Sequence, residues 1–270
     1  RAYLEKDTLL GSLIVGMYSS QQRVGAMDDA HCWFSSILLP SLSVDSYTWH
    51  HLITGYAHHG MPHLVLHTFW QMQHQGTPLN RFIAATILST VSLDLISHGE
   101  HLHACLIGTS NCDMHDIVVN NAIITMYGRC NRLDRAQRMF DSMSERRILT
   151  WTAIIAAHAQ NGHTKEALHL FGQMHKEGVM PNDATFVSIL CTCDVLSLGK
   201  YLHSRISAMG LEVEIMVANS VIGMYGKCGS MADALASFDR MENQRSTSWN
   251  AFMTAHIENT QFSGVLQLFQ

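Results

Sequence analysis

The chain repeats itself with a period of roughly 100 residues, and this constrains its fold more than any other feature of the sequence. A Met-Tyr pair recurs in similar surroundings at Met17-Tyr18, Met126-Tyr127 and Met224-Tyr225. A hydroxyl residue followed by Trp recurs at Thr48-Trp49, Thr150-Trp151 and Ser248-Trp249. Such recurrence is typical of arrays in which each unit buries its apolar face against its neighbours.

Within each period, apolar residues recur at the spacing of helices joined by short polar turns. In one example, Trp151 and Ile154 mark a first helix that ends at Gly162, and Thr164 is predicted to cap a second helix that ends at Gly178. An Ala-x-x-x-Phe step marks the second helices, at Ala30/Phe34, Ala136/Phe140, Ala167/Phe171 and Ala234/Phe238. These patterns predict an all-α solenoid of helix-turn-helix repeats, which we expect to wind as a right-handed superhelix.

Composition excludes several classes of protein. Apolar residues make up 47% of the chain and charged residues 14%, which excludes a disordered protein, and no apolar run is long enough to span a bilayer. The formal net charge of −5 argues against nucleic-acid binding through phosphate contacts alone, although 18 histidines can add positive charge just below neutral pH. Seven cysteines without a paired spacing favour a reducing compartment.

The two ends of the sequence indicate a piece of a longer protein. The chain begins with Arg1 rather than Met and ends inside a helical pattern at Gln270. We therefore expect any targeting segment or terminal domain to lie outside this sequence.

Several segments resemble pentatricopeptide repeats. Residues 121–130 followed by 136–143 resemble the short form of this repeat, residues 151–182 the standard form, and residues 185–203 the long form. The resemblance covers essentially the whole chain, and the order long, short, standard is similar to that of the plant PLS subclass.

Anchoring each repeat on its Trp or its Met-Tyr pair predicts a single solenoid domain over residues 1–270. The predicted repeats are a partial long repeat at 1–7, short repeats at 8–45, 117–147 and 215–245, standard repeats at 46–80 and 148–182, long repeats at 81–116 and 183–214, and a partial standard repeat at 246–270.

The resemblance implies that the repeats bind single-stranded RNA, one base per repeat, through two or three side chains. In the family, the fifth and the last residue of a repeat contact the base edge. In this sequence those positions are Ser12/Asp45, His50/Asn80, Ala85/Asp116, Asn121/Arg147, Thr152/Asn182, Val187/Glu214 and Asn219/Arg245, with Asn250 in the final partial repeat.

The resemblance also implies base preferences. Thr152/Asn182 is expected to recognise adenine and Ser12/Asp45 guanine, and Asn at the fifth position (Asn121, Asn219, Asn250) is expected to favour a pyrimidine. Taken in order, the repeats predict 5′-G-N-N-Y-A-N-Y-Y-3′, where Y is a pyrimidine and N is unspecified.

Some positions depart from the family pattern. Arg147 and Arg245 replace the usual Asp or Asn, and because a guanidinium cannot accept a hydrogen bond, we expect them to bind phosphate or to stack. His50 is also unusual at a fifth position. Ala85 and Val187 cannot form side-chain hydrogen bonds, so the long repeats are expected to act as spacers.

These features predict a sequence-specific RNA-binding protein of organellar RNA processing, most specifically of cytidine-to-uridine editing, in the mitochondrion ahead of the chloroplast. We expect no enzymatic activity, cofactor, small-molecule substrate or membrane contact, and other editing or processing proteins as partners. The alternative is a protein-binding scaffold of tetratricopeptide type, which has similar helical hairpins. Mixed repeat lengths and polar fifth positions favour RNA, whereas the net negative charge favours a protein partner.

Histidines, cysteines and tryptophans allow further interpretations. His98 and Glu100 form the H-x-E string of zinc deaminases, but the sequence has no C-x-x-C to complete that site. Cys191 and Cys193 have the wrong spacing for it. The other metal candidates are the isolated pairs His58/His59 and His101/His103, whereas Cys130 and Cys228 occupy equivalent turns, where packing is expected. Packing between repeats is likewise preferred to base stacking for Trp49, Trp151 and Trp249.

Overall fold

The computed structural model describes residues 16–18, 25–35, 46–108 and 116–259, and all of its regular secondary structure is helical in these ranges. The chain divides into two compact units. The N-terminal unit comprises Arg1–Arg132 with Asp141–Met143, and the C-terminal unit comprises Leu133–Phe140 with Ser144–Gln270. The predicted all-α fold of helix-turn-helix repeats is confirmed, whereas a single domain over residues 1–270 stays a prediction.

The helices have the length expected of short hairpins. Those before the boundary are α1 (Ala26–Trp33), α2 (Ser46–His58), α3 (Pro62–His74), α4 (Arg81–Thr90), α5 (Ile96–Gly108) and α6 (Ile117–Arg129). Those after it are α7 (Leu133–Ser142), α8 (Ile148–Gln160), α9 (Thr164–Lys176), α10 (Asp183–Leu190), α11 (Leu196–Ala208), α12 (Ile215–Lys227), α13 (Met231–Asp239) and α14 (Ser246–Glu258). Seven of these helices begin at the first residue of a repeat predicted from the sequence. They are α2, α4, α6, α8, α10, α12 and α14. None of the described helices is long and apolar enough to cross a bilayer.

The first helices of successive repeats pack side by side within each unit. In the N-terminal unit α2 packs against α4 and α4 against α6, and in the C-terminal unit α8, α10, α12 and α14 pack in succession. Hairpins close by contact between their two helices in α2 with α3, α8 with α9 and α12 with α13. The first helices therefore form one layer of each unit, and this layer carries the fifth residues.

A Phe-Trp contact recurs where a short repeat meets the following standard repeat. The rings lie edge to face with centroids 4.8 Å apart for Phe34/Trp49, 4.8 Å for Phe140/Trp151 and 4.7 Å for Phe238/Trp249. Trp49 and Trp151 are completely buried, and this edge-to-face geometry is the one that aromatic pairs prefer. Packing between repeats is thus confirmed for these tryptophans.

A polar contact also recurs between repeats. The eleventh residue of a repeat hydrogen-bonds to the preceding second helix, in His31/Tyr56 at 2.5 Å, His103/Tyr127 at 2.8 Å, Gln137/His158 at 3.3 Å and His203/Tyr225 at 2.9 Å. Because a buried polar group without a partner is costly, these contacts favour one alignment of neighbouring repeats.

The helix ends agree with the sequence patterns in part. Gly162 and Gly178 have φ of +77° and +74°, the left-handed conformation that ends helices and favours glycine. The prediction that Thr164 caps α9 was wrong, because α9 begins at Thr164 and its cap is His163, whose side chain makes no capping hydrogen bond. The Ala-x-x-x-Phe step predicts a buried Phe171, but the structure leaves it half-buried, with its ring centroid 5.8 Å from that of Phe186.

Candidate nucleic-acid interface

The fifth residues lie one turn into each first helix. His50, Ala85 and Asn121 occupy this place on α2, α4 and α6 of the N-terminal unit, and Thr152, Val187, Asn219 and Asn250 occupy it on α8, α10, α12 and α14 of the C-terminal unit. All are half-buried except Asn250, which is exposed. Since the first helices of a unit pack side by side, its fifth residues follow one another across the same layer. Ser12 and Asp45 lie outside the described residues.

The last residue of a repeat is the N-cap of the next first helix. Asn80 Oδ1 accepts a hydrogen bond from the main-chain N–H of Ile83 at 2.9 Å, and Asp116 Oδ1 accepts one from that of Val118 at 2.8 Å. Asn182 Oδ1 accepts from the N–H of Thr185 at 3.0 Å. Asn and Asp are preferred N-caps because their short side chains reach the free N–H groups of the first turn. This role was missed in the sequence, although an Asn or Asp directly before an apolar helix is its usual signal.

Glu214 and Arg245 stand at the same place without a side-chain capping bond. Arg147 also precedes a first helix, and its guanidinium pairs with Glu145 at 2.7 Å on the surface. Arg245 has no ion pair within the described residues, so its guanidinium is available to an anion. In the long repeat 81–116, the carboxylate of Asp116 lies 3.4 Å from the guanidinium of Arg81.

Thr152 and Asn182 come together in the structure. Thr152 Oγ1 lies 3.3 Å from Asn182 Oδ1 and 2.8 Å from Thr185 Oγ1. No hydrogen bond joins His50 to Asn80, or Asn219 to Arg245, in the parts of the chain that the structure describes. Asn121 belongs to the N-terminal unit and Arg147 to the C-terminal unit.

Three fifth residues each have a buried polar atom with no hydrogen-bond partner in the described protein. These atoms are His50 Nδ1, Asn121 Oδ1 and Asn219 Oδ1. Leaving such an atom unpaired costs about 1–3 kcal/mol. Unpaired atoms at the fifth position of three repeats are therefore unusual in a folded protein. A polar ligand bound at this layer would be one source of the missing partners.

His50 differs from the other fifth residues in being titratable. Burial, and next the neighbouring His51, hold the pKa of His50 below its usual value. His50 is therefore neutral at pH 7, and a neutral imidazole offers one hydrogen-bond donor and one acceptor.

Exposed apolar side chains stand beside the fifth residues. They occupy the second position of five repeats and are Tyr47, Phe82, Val118, Leu149 and Met216. Tyr47 is 73% exposed, Met216 71% and Leu149 65%. Residues three apart share a helix face, so each of these side chains neighbours the fifth residue of its own repeat. The sequence signal for such side chains is an apolar residue that lies off the buried stripe of its helix.

The histidines and cysteines do not assemble a metal site in the described ranges, where no group of three His, Cys, Asp or Glu side chains is placed to hold a metal ion. Burial raises the pKa of the Cys130 and Cys193 thiols, and it raises that of Cys228 to about 11. The thiolate is the form that binds metals, so these three cysteines are poor ligands at neutral pH.

Family comparisons match the repeats found in the sequence. Residues 146–193 match the PPR repeat family, and residues 47–77, 121–148 and 217–245 match the PPR repeat. The chain is 31% identical to a chloroplastic pentatricopeptide repeat-containing protein of Arabidopsis thaliana, over 98% of this chain and 27% of the relative. A mitochondrial pentatricopeptide repeat-containing protein of the same plant is 30% identical over 94% of this chain and 39% of its own length. The chain thus spans well under half of these curated relatives.

Among solved structures, the chain is similar to the crystal structure of the pentatricopeptide repeat protein PPR10 from maize. The TM-score is 0.55, with 18% sequence identity, over 94% of this chain and 37% of that one. At this identity the likeness concerns the fold, an array of helical hairpins.

Proposed function

The chain belongs to the pentatricopeptide repeat family, and from this premise we propose that it binds single-stranded RNA sequence-specifically, one base per repeat. The observation that carries the proposal is the composition of the first-helix layer. In each unit this layer presents polar fifth residues in the short and standard repeats, separated by Ala85 or Val187 in the long repeats. Most of the described repeats also place an exposed apolar side chain beside the fifth residue. A chain of unstacked bases needs both polar contacts to base edges and apolar contacts to base faces.

In this proposal the second residues contact the faces of the bases. Tyr47 and Phe82 offer aromatic surfaces, and Val118, Leu149 and Met216 offer aliphatic ones. The fifth residue and the last residue contact the base edge. Stacking on the second residues and hydrogen bonding by the polar fifth residues involve uncharged groups. These contacts do not require a basic protein, and the net charge of −5 is compatible with them.

We assign the bases as the fifth and last residues suggest. Thr152/Asn182 recognises adenine, Asn121, Asn219 and Asn250 favour pyrimidines, and Ser12/Asp45 recognises guanine. The target is 5′-G-N-N-Y-A-N-Y-Y-3′, in which the guanine depends on residues outside the described ranges. The buried, unpartnered Oδ1 atoms of Asn121 and Asn219 support a polar ligand at two of the pyrimidine positions.

The remaining positions are assigned supporting roles. Ala85 and Val187 make the long repeats spacers, and the ion pair with Arg81 occupies the Asp116 carboxylate. We assign phosphate binding to Arg245, whose guanidinium is exposed. Arg147 would have to release Glu145 to do the same.

We further propose a place for the protein in organellar RNA processing, as a PLS-type factor that selects sites of cytidine-to-uridine editing. Relatives named chloroplastic and mitochondrial support an organelle, and we place the protein in the mitochondrion ahead of the chloroplast. The chain itself is not an enzyme in this proposal and uses no cofactor, small-molecule substrate or membrane. Editing chemistry would come from a partner protein or from a domain beyond this sequence.

A protein-binding scaffold is the second candidate, favoured by the net negative charge and by the exposed apolar second residues. A filter-binding experiment with the 270-residue chain distinguishes the two. We expect single-stranded RNA containing the target to bind at low salt and near-neutral pH, with modest weakening at higher salt because few phosphates are contacted. Failure to bind at low salt would contradict the RNA proposal and leave the scaffold.

A further inference from the structure

Thr185 is a completely buried hydroxyl residue between the two residues assigned to adenine. It is the third residue of the long repeat 183–214 and lies on α10. Its Oγ1 lies 2.8 Å from Thr152 Oγ1 and 2.6 Å from Asn182 Oδ1. A residue of one repeat is therefore hydrogen-bonded to both base-contacting residues of the repeat before it.

The amide of Asn182 is fixed in one orientation by these contacts. A main-chain N–H can only donate, so the Asn182 atom that faces the N–H of Thr185 at 3.0 Å must be the oxygen. The Thr185 hydroxyl gives the same oxygen a second donor. The Asn182 Nδ2 group then points away from the cap, with both of its hydrogens available and no partner among the described residues.

The hydroxyl of Thr152 is constrained as well. Its single hydrogen faces three acceptors inside the protein: Ile148 O at 2.8 Å, Asn182 Oδ1 at 3.3 Å and Thr185 Oγ1. The hydrogen is used internally whichever of them it binds. What Thr152 offers to a ligand is therefore an acceptor lone pair.

We propose, building on the RNA-binding function proposed above, that Thr185 is a positioning residue that sets the base preference of repeat 148–182. It holds Asn182 as a donor and Thr152 as an acceptor. The Watson–Crick edge of adenine offers an acceptor at N1 and a donor at the N6 amino group, which complements this arrangement. In guanine the two groups are exchanged, because N1 carries a donor and the O6 carbonyl is an acceptor. The preference of one repeat thus depends on the third residue of the next.

Two repeats within the described residues lack this arrangement, which provides controls within the chain. At the corresponding position behind Asn80 stands Ile83, which has no hydroxyl. Thr150 is a third residue that is as fully buried as Thr185, but its Oγ1 accepts from the main-chain N–H of Arg147. Removal of the Thr150 hydroxyl is therefore a matched control, because it also removes a buried hydroxyl but leaves the contacts of Asn182 intact.

The test compares the affinities of the 270-residue chain for two RNA oligonucleotides, with adenine or guanine opposite repeat 148–182. Thr185→Val, Thr185→Ser and Thr150→Val are measured beside the wild type, with thermal unfolding as a check on folding. We expect Thr185→Val to lower the adenine-to-guanine affinity ratio by about 3- to 10-fold, the change that one lost hydrogen bond produces. Thr185→Ser should keep the wild-type ratio because it keeps the hydroxyl, and Thr150→Val should keep it too.

The outcomes separate this inference from the function on which it rests. A wild-type chain that binds neither oligonucleotide would contradict the RNA-binding function itself. Suppose that the wild type prefers adenine. If Thr185→Val then keeps the wild-type adenine-to-guanine affinity ratio, or if Thr150→Val lowers this ratio equally, the role proposed for Thr185 is contradicted while RNA binding stands. Should Thr185→Val fail to fold, Thr185→Ala takes its place, and an unchanged ratio in that variant overturns the inference.

Discussion

Thr152 and Asn182 are thirty positions apart in the sequence, yet Thr152 Oγ1 lies 3.3 Å from Asn182 Oδ1. The first residue sits one turn into α8, and the second caps α10, the next first helix. Side-by-side packing of α8 and α10 brings them together. Repeat 148–182 therefore brings together the two residues to which we assign base contact only when the following repeat is folded against it.

Asn182→Asp should change the base preferred by repeat 148–182 from adenine to guanine. A carboxylate accepts hydrogen bonds but cannot donate, so it loses the contact to adenine N1 and gains one to the guanine N1–H. The wild-type chain should bind the adenine oligonucleotide about 5- to 150-fold more tightly than the guanine one, and the variant should reverse the order. Competition binding measures both ratios.

Asp is as good an N-cap as Asn, so this substitution should leave the unfolding transition unchanged. Asn80→Asp is the matched control, because it alters another capping Asn and should leave the adenine preference intact. Equal binding of the two oligonucleotides by both wild type and Asn182→Asp would contradict the base assignment.

Tyr47→Ala should weaken RNA binding by about 5- to 150-fold, the cost of removing one stacking side chain. Because Tyr47 is 73% exposed, the free energy of unfolding should change little. Tyr201→Ala serves as the control, since Tyr201 is 53% exposed on the second helix α11 rather than on the first-helix layer. If both variants bind RNA as well as the wild type, the second residues do not contact bases.

Trp151→Ala should lower the free energy of unfolding by about 3–5 kcal/mol, because the indole is completely buried against Phe140. Leu149→Ala, two residues away, should have an effect within about 0.5 kcal/mol because Leu149 is 65% exposed. Urea unfolding followed by circular dichroism gives both values. Similar losses in the two variants would show that the register of α8 is wrong.

His158 should make the fold less stable in mildly acidic solution. Burial, and next the neighbouring His163, hold the pKa of His158 below its usual value of 6.5, while Glu166 acts in the opposite direction. Above about pH 6.5 both the folded and the unfolded chain carry neutral His158, so it has no pH-dependent effect there. As the pH falls below that value the unfolded chain binds the proton first, and the free energy of unfolding decreases.

The check is urea unfolding of wild type and His158→Gln at about pH 7.5 and about pH 5.5. The variant should lose less stability between the two pH values than the wild type does. His169, an exposed histidine on α9, provides the control in His169→Gln, which should show the wild-type dependence. An identical dependence in wild type and His158→Gln would contradict the buried neutral state.

Much of the fold could be predicted from the sequence because it is local and repeated. The Trp and Met-Tyr anchors place the first helices, and Gly162 and Gly178 end their helices as expected. Local patterns were less reliable at the start of α9, where Thr164 has the residue type of a cap but the chain turns one residue earlier.

The contacts of the candidate site were harder to predict. The hydrogen bonds of Thr185 depend on how two first helices pack, and spacing along the chain does not encode the distance between Thr185 and Thr152. The exposure of Tyr47 could have been found, because an apolar residue off the buried stripe must either face solvent or bind something. The unpartnered Oδ1 atoms of Asn121 and Asn219 become visible only when burial is known.

Selection from a randomised single-stranded RNA pool tests sequence-specific binding most directly. The 270-residue chain is incubated with the pool near neutral pH at low salt, and the bound RNA is sequenced. We predict enrichment of 5′-Y-A-N-Y-Y-3′, with adenine the most strongly selected base. A bound fraction with the same composition as the starting pool, or no bound RNA, would contradict sequence-specific recognition by these repeats.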